Sequence, residues 1–129
     1  MIAGLGVDIC TLEQVEDLVT SFGGELDAAV EPLSGVFTAA ELARAQSRAN
    51  PIEHLAGLFA AKEAVFKALS ATWDEGARMS DIEIWPAESG QPQVTLRGSF
   101  AELLGPTGSI LVTISHDGGV ALAAAVIDR

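Results

Sequence analysis

The chain has 129 residues, 49% of them hydrophobic and 19% charged, which is typical of one globular domain over residues 1–129 and excludes a disordered chain. Its formal net charge of −11 excludes a protein that tracks nucleic-acid phosphates and disfavours an anionic membrane surface. The single cysteine, Cys10, excludes an internal disulfide framework. The sequence has no long apolar run that predicts a membrane span and no basic leader that predicts a signal peptide. We therefore expect a cytoplasmic protein.

The first half of the chain predicts one strand followed by helical segments: a strand over 1–9, an amphipathic helix over 11–20, a turn or weak helix over 25–36, a helix over 38–48 and a long helix over 51–70. In the strand, Gly4 and Gly6 leave one face almost bare, which indicates close approach of backbone or ligand. Thr38 and Glu41 have the spacing of a capping box, and Pro51 suits the first position of the long helix.

The second half predicts a loop and four strands: the loop over 71–80, strands over 81–85 and 94–96, one or two helical turns over 99–104, and strands over 110–115 and 120–127. Gly90-Gln91-Pro92 predicts a hairpin turn between the first two strands, and His116-Asp117-Gly118-Gly119 a tight turn between the last two. Strand, helices and strands in this order predict a single-domain α+β fold, in which the long helix packs on a small, largely antiparallel sheet.

Five ionisable residues interrupt the apolar pattern: Asp8, Lys62, Glu63, Lys67 and His116. Two carboxylates from distant segments could hold one Mg²⁺, lysines supply charge for phosphate oxygens, and a histidine beside Ser115 could donate to a phosphate or move a proton. Together they predict phosphoryl transfer. Simpler interpretations stay open. Glu63 and Lys67 could be no more than a solvated pair on the helix surface, and Asp8 could be no more than an acid that stabilises the start of a helix.

Six motifs, in order along the chain, resemble those of the holo-acyl-carrier-protein synthases: Gly4-Leu5-Gly6-Val7-Asp8-Ile9, Phe37-Thr38-Ala39-Ala40-Glu41-Leu42, Phe59-Ala60-Ala61-Lys62-Glu63-Ala64-Val65-Phe66-Lys67-Ala68, Asp81-Ile82-Glu83-Ile84, Gly90-Gln91-Pro92 and Ile114-Ser115-His116-Asp117. The resemblance implies the 4′-phosphopantetheinyl transferase fold. It also implies Mg²⁺-dependent transfer of 4′-phosphopantetheine from coenzyme A to a serine of an acyl or peptidyl carrier protein, with release of adenosine 3′,5′-bisphosphate. Family members of this size form homotrimers with sites between neighbouring subunits.

The resemblance also implies roles for individual residues. Asp8 and Glu63 would hold Mg²⁺ against the coenzyme A diphosphate, and one of them, directly or through a metal-bound water, would help deprotonate the carrier serine. Lys67 would neutralise or protonate the departing phosphate, and Lys62 would contact phosphate nearby. The positions implied to bind coenzyme A are Lys62, Lys67, Gly90, Pro92, Ser115 and His116.

The sequence departs from the family pattern just before Phe59, where the family usually carries an arginine and this chain has Leu58. Arg44 or Arg48 could substitute, but the sequence does not place them. This departure leaves open a second hypothesis, a non-catalytic carrier-binding or assembly subunit on the same fold. A metal-dependent phosphohydrolase is a third, and it needs more metal ligands than the sequence offers.

A second departure concerns charge. Residues 9–43 contain seven carboxylates and no lysine or arginine, whereas the family favours basic residues on its first helix. Because like charges slow encounter, we expect poor modification of a strongly acidic carrier protein and better modification of a neutral or basic carrier domain. The alternative is that these carboxylates form only a solvated surface.

Overall fold

In the computed structural model of the protein, residues 1–21, 33–73 and 76–129 are described. The elements are β1 (Ile2–Thr11), α1 (Leu12–Ser21), α2 (Leu33–Val36), α3 (Ala39–Gln46), α4 (Pro51–Ala68), β2 (Ile82–Pro86), β3 (Pro92–Leu96), α5 (Ser99–Leu104), β4 (Ser109–Asp117) and β5 (Val120–Asp128), with a 3₁₀ turn before β2 (Met79–Asp81). The predicted α+β order is confirmed. The first helix, predicted over 11–20, is confirmed as α1, whereas most of the segment predicted over 25–36 lies outside the described residues.

The strands form two antiparallel groups. β1, β5 and β4 make a three-stranded sheet in that order, and β2 pairs with β3 as a separate hairpin. The turn between β4 and β5 is tighter than predicted, because β4 extends to Asp117 and only Gly118 and Gly119 connect the strands. Both glycines have positive φ, 57° and 79°, as a two-residue hairpin loop that follows the strand twist requires.

Helix α4 packs on one face of the three-stranded sheet at very short range. A Cβ atom at Gly4 would overlap the carbonyl oxygen of Ala68, and one at Gly6 would overlap that of Ala64. The bare face predicted for the first strand therefore contacts the backbone of α4. This contact sets the short distance between α4 and β1. Small residues from β5 complete the buried layer: Ala121, Ala123 and Ala125.

The ends of α3 and α4 follow local rules. The capping box is confirmed, since the Thr38 hydroxyl accepts from the Glu41 N–H and the Glu41 carboxylate accepts from the Thr38 N–H. Pro51 occupies the first turn of α4, as predicted. The helix ends at Ala68, two residues earlier than expected, because Ser70 adopts a left-handed conformation with φ of 52°.

The opposite face of the three-stranded sheet is apolar and open. Its exposed side chains come from all three strands, with 43–66% of each exposed: Leu5, Val7, Ile9, Leu111 and Leu122. A contiguous apolar surface of this kind is a typical site of association. Among the described residues, no helix is both long enough and apolar enough to cross a membrane.

Candidate functional site

The fold brings Asp8, Glu63 and Lys67 together, and we call them the carboxylate cluster. Asp8 lies on the face of β1 that α4 covers, and the Lys67 ammonium donates to its carboxylate at 2.9 Å and to the Val7 carbonyl at 3.1 Å. Glu63 precedes Lys67 by one helical turn, so both side chains project from the same side of α4. Residues from segments more than fifty positions apart thus share one small surface.

Negative charge dominates this cluster. Burial raises the pKa of Glu63, and the neighbouring Asp8 carboxylate raises it further, while Lys67 opposes the shift more weakly. The pKa of Lys67 is raised by its hydrogen bond and attraction to Asp8. Burial, Asp8 and Glu63 together raise the pKa of the Cys10 thiol to about 11. A cation would relieve this repulsion, since a nearby positive charge favours ionised carboxylates.

The donor set of the cluster fits a hard cation that keeps several waters. Among the described residues, no group of three or more His, Cys, Asp or Glu side chains could hold a metal ion. Two carboxylate oxygens suffice for Mg²⁺ when water and substrate phosphate complete its octahedral shell. The cluster is therefore suited to Mg²⁺ together with a phosphate-bearing substrate, and poorly suited to a metal bound by protein ligands alone.

Lys62 does not belong to this cluster, which corrects the role expected for it. Its side chain is fully buried, and its ammonium donates to the Glu41 carboxylate at 2.8 Å and to the backbone carbonyls of Met79 and Ile82. Burial lowers the pKa of Lys62, and the Glu41 charge opposes that shift. With its donors committed inside the protein, Lys62 has none to offer a bound phosphate.

A second group of polar residues lies at the other half of α4. A cleft of about 170 Å³, here called the arginine cleft, opens between α3, α4 and the β2–β3 hairpin, and its lining includes Arg44, Arg48, His54, Leu58, Gly90 and Pro92. Arg44 of α3 and Arg48, two residues past the end of α3, therefore line the same cleft as Leu58.

An adjoining cleft of about 420 Å³ shares Arg48 and His54 and adds His116. His116 lies against α4 with its Nε2 3.1 Å from the Glu53 carbonyl oxygen, and a Cβ at Gly57 would press on its ring. Burial, followed by the charges of the arginines and His116, lowers the pKa of His54. The sequence did not indicate His54, because its role depends on how α3 packs beside α4.

Ser115 and His116 point to opposite faces of β4, as neighbours on a strand must. Ser115 is exposed on the open apolar face, whereas His116 faces α4. Along α4, His54 and Glu63 are nine residues apart, or roughly 14 Å at 1.5 Å per residue. One chain therefore keeps the carboxylate cluster, the arginine cleft and Ser115 on separate surfaces.

Comparison with known proteins gives the family. The sequence matches the 4′-phosphopantetheinyl transferase superfamily over residues 4–125. The chain belongs to this superfamily. It is similar to the holo-[acyl-carrier-protein] synthase of Solidesulfovibrio magneticus, with 38% identity over 131 residues that cover 99% of each chain.

Two solved structures of the same superfamily share the fold. The holo-[acyl-carrier-protein] synthase from Neisseria meningitidis superimposes with a TM-score of 0.83 at 26% identity over 100% of both chains. A complex of ACPS with CoA from Chronobacterium ammoniagenes superimposes with a TM-score of 0.79 at 28% identity over 98% of both chains. The resemblance found in the motifs therefore extends to the whole chain and to its three-dimensional fold.

Proposed function

We propose that this transferase-superfamily member moves 4′-phosphopantetheine from coenzyme A to a serine of an acyl or peptidyl carrier protein. The serine oxygen forms a bond to the phosphorus that carries pantetheine, the bond from that phosphorus to the bridging oxygen breaks, and adenosine 3′,5′-bisphosphate leaves. The observation that carries the proposal is the convergence of Asp8, Glu63 and Lys67 in a chain that matches holo-[acyl-carrier-protein] synthases over its full length.

In this proposal Asp8 and Glu63 would hold Mg²⁺, which when bound would neutralise and polarise the diphosphate. Glu63, whose pKa is raised, is suited to accept the proton of the carrier serine. Lys67 is half exposed and can move its ammonium from Asp8 to an oxygen of the leaving phosphate. Its charge then stabilises the negative charge that develops when the phosphate leaves.

The arginine cleft is the proposed place for the nucleotide end of coenzyme A. Its apolar wall suits a base, and Arg44 and Arg48 supply the charge for a phosphate. Two buried nitrogens there, Nε of Arg44 and Nε2 of His54, have no hydrogen-bond partner within the described part of the chain. Gly90 and Pro92, which the resemblance implies to bind coenzyme A, also line this cleft.

We further propose a homotrimer in which the open apolar sheet face is buried between chains. The support is that face itself, together with the separation of the carboxylate cluster from His116 along α4. If sites form between subunits, mixing a Glu63→Ala chain with a His116→Ala chain should restore part of the activity. A fully active monomer in sedimentation experiments would refute this assembly.

The function is tested with labelled coenzyme A and a panel of unmodified carrier proteins, with and without Mg²⁺. Transfer predicts a labelled carrier of increased mass and release of adenosine 3′,5′-bisphosphate. Cleavage of coenzyme A without label on any carrier would favour a phosphohydrolase. Carrier binding without label transfer would favour a non-catalytic assembly subunit.

A further inference from the structure

The buried carboxylate of Glu41 joins three elements of the fold. Its Oε1 accepts a hydrogen bond from the Thr38 N–H at 2.8 Å and another from the Lys62 ammonium at 2.8 Å. Its Oε2 accepts from the Ile84 N–H at 2.9 Å. These donors belong to the N-cap of α3, to the middle of α4 and to β2, so that one side chain connects all three.

The same three elements form the walls of the arginine cleft, and Glu41 itself is part of its lining. Six of the other lining residues belong to these elements: Arg44 and Arg48 with α3, His54 and Leu58 on α4, and Ile84 and Pro86 on β2. Gly90 and Pro92 from the hairpin and Ile114 from β4 complete the lining. The relative position of the arginines and the opposite wall therefore depends on contacts that meet at one carboxylate. Within the described part of the chain, no hydrogen bond or ion pair joins Glu41 to the carboxylate cluster.

A carboxylate is specifically required at this junction. All its partners are donors, so a glutamine amide would direct its NH₂ group at one of them. Lys62 completes the arrangement, because its remaining protons satisfy the carbonyls of Met79 and Ile82. Buried ion pairs of this kind contribute little net stability compared with apolar packing, which leaves room for a role in fixing geometry.

We infer that the Glu41–Lys62 ion pair positions the walls of the arginine cleft and thereby sets the affinity of the protein for coenzyme A. This inference rests on the proposed function, which supplies the ligand of the cleft. Glu41 and Lys62 act through Arg44 and Arg48 and are positioning residues that do not touch the reacting atoms. They should therefore affect binding of coenzyme A and leave the chemical step nearly unchanged.

The test uses the shortened but still charged variant Glu41→Asp and its matched control Glu83→Asp. Glu83 also joins α3 to the hairpin, through Thr38 and Arg97, but it is absent from the lining of the cleft. We expect Glu41→Asp to raise Kd and KM for coenzyme A about tenfold with kcat within about twofold, because small misplacement of binding groups is costly. The Glu83→Asp variant should bind coenzyme A within about twofold of the native protein.

A second variant, Glu41→Gln/Lys62→Met, removes both charges and so leaves neither without its partner. We expect it to regain thermal stability relative to Lys62→Met alone while its coenzyme A affinity, measured by calorimetry, stays reduced. Recovery of both stability and affinity would overturn the inference, as would a native Kd in Glu41→Asp. If the native protein itself binds no coenzyme A, the proposed function fails instead.

Discussion

Two lysine–carboxylate pairs on helix α4 have nearly the same length and opposite surroundings. Lys62 lies 2.8 Å from Glu41 with both side chains fully buried, whereas Lys67 lies 2.9 Å from Asp8 with 51% and 17% of the side chains exposed. Five positions of a helix turn the side chain by about 140°, so one lysine faces the core and the other faces solvent. Burial, and not the length of the ion pair, distinguishes the two lysines here.

This difference in burial determines how easily each ion pair can be broken. A buried pair is hard to open, because separation leaves a charge without solvent or partner. An exposed ion pair contributes little to stability and is screened by salt. Each of its side chains can therefore bind a different partner at a small cost in free energy. Lys67 can therefore leave Asp8 for a phosphate, while Lys62 stays with Glu41. Five predictions test this contrast and its consequences.

The largest effect is expected when the exposed cluster loses a carboxylate. Asp8→Ala or Glu63→Ala should lower Mg²⁺-dependent transfer by about 10³-fold or more, because several kcal/mol of charge stabilisation are lost. Initial rates over a Mg²⁺ series measure the effect, and thermal unfolding provides the control for folding. Near-native turnover and metal affinity in Asp8→Ala would show that the site is assigned to the wrong residues.

The buried pair should instead govern stability. Lys62→Met leaves the Glu41 carboxylate buried without its counter-charge, so we expect the free energy of unfolding to fall by about 3–5 kcal/mol. Lys67→Met, the matched change on the exposed side, should cost far less, because solvent and salt screen an exposed pair. Denaturant unfolding of both variants measures the difference. Equal losses would refute the contrast between the two pairs.

The exposed lysine should govern the chemical step. Lys67→Ala should reduce kcat by about 10²-fold with a much smaller rise in KM for coenzyme A, since its interaction strengthens as the phosphate leaves. Steady-state kinetics separate the two parameters. A pure KM effect would assign Lys67 to substrate binding and remove it from transition-state stabilisation.

A smaller effect is expected for pH-dependent stability. The folded-state pKa of Glu63 lies above its ordinary value, so the folded protein binds more protons than the unfolded chain between those two values. Below the ordinary pKa, Glu63 is protonated in both states and does not destabilise the fold. The free energy of unfolding then falls as pH rises through the pKa of Glu63 in the folded protein. Glu63→Gln should therefore raise Tm slightly at neutral pH, and the gain should disappear in acid. A lower Tm at neutral pH alone would contradict this.

The sequence predicted what depends on local pattern and missed what depends on packing between distant segments. Residue spacing indicated the capping box at Thr38 and the start of α4 at Pro51, because both are local. It could not separate Lys62 from Lys67, since the direction of each depends on which face of α4 meets the core. Nor could it place Arg44 in the same cleft as Leu58, because that arrangement depends on how α3 packs against α4.

The smallest expected effect is on kcat/KM for the carrier protein. The charge on the exposed face of α1 determines whether an acidic carrier is favoured or disfavoured. Glu13, Glu16 and Asp17 are exposed there, and α1 contains no lysine or arginine. The resemblance implies that carriers dock at this helix, so like charges should slow encounter with a strongly acidic carrier. A few tenths of a kcal/mol for each of three charges correspond to about two- to fivefold in kcat/KM.

Salt provides the decisive measurement, because screening weakens repulsion and attraction alike. At constant Mg²⁺, added salt should raise kcat/KM for an acidic carrier and leave a neutral carrier domain nearly unaffected. The triple variant Glu13→Gln/Glu16→Gln/Asp17→Asn is the control, and it should accept the acidic carrier better at low salt and lose most of the salt response. If salt lowers kcat/KM for the acidic carrier in the native protein, attraction governs docking, and the acidic face of α1 is only a solvated surface.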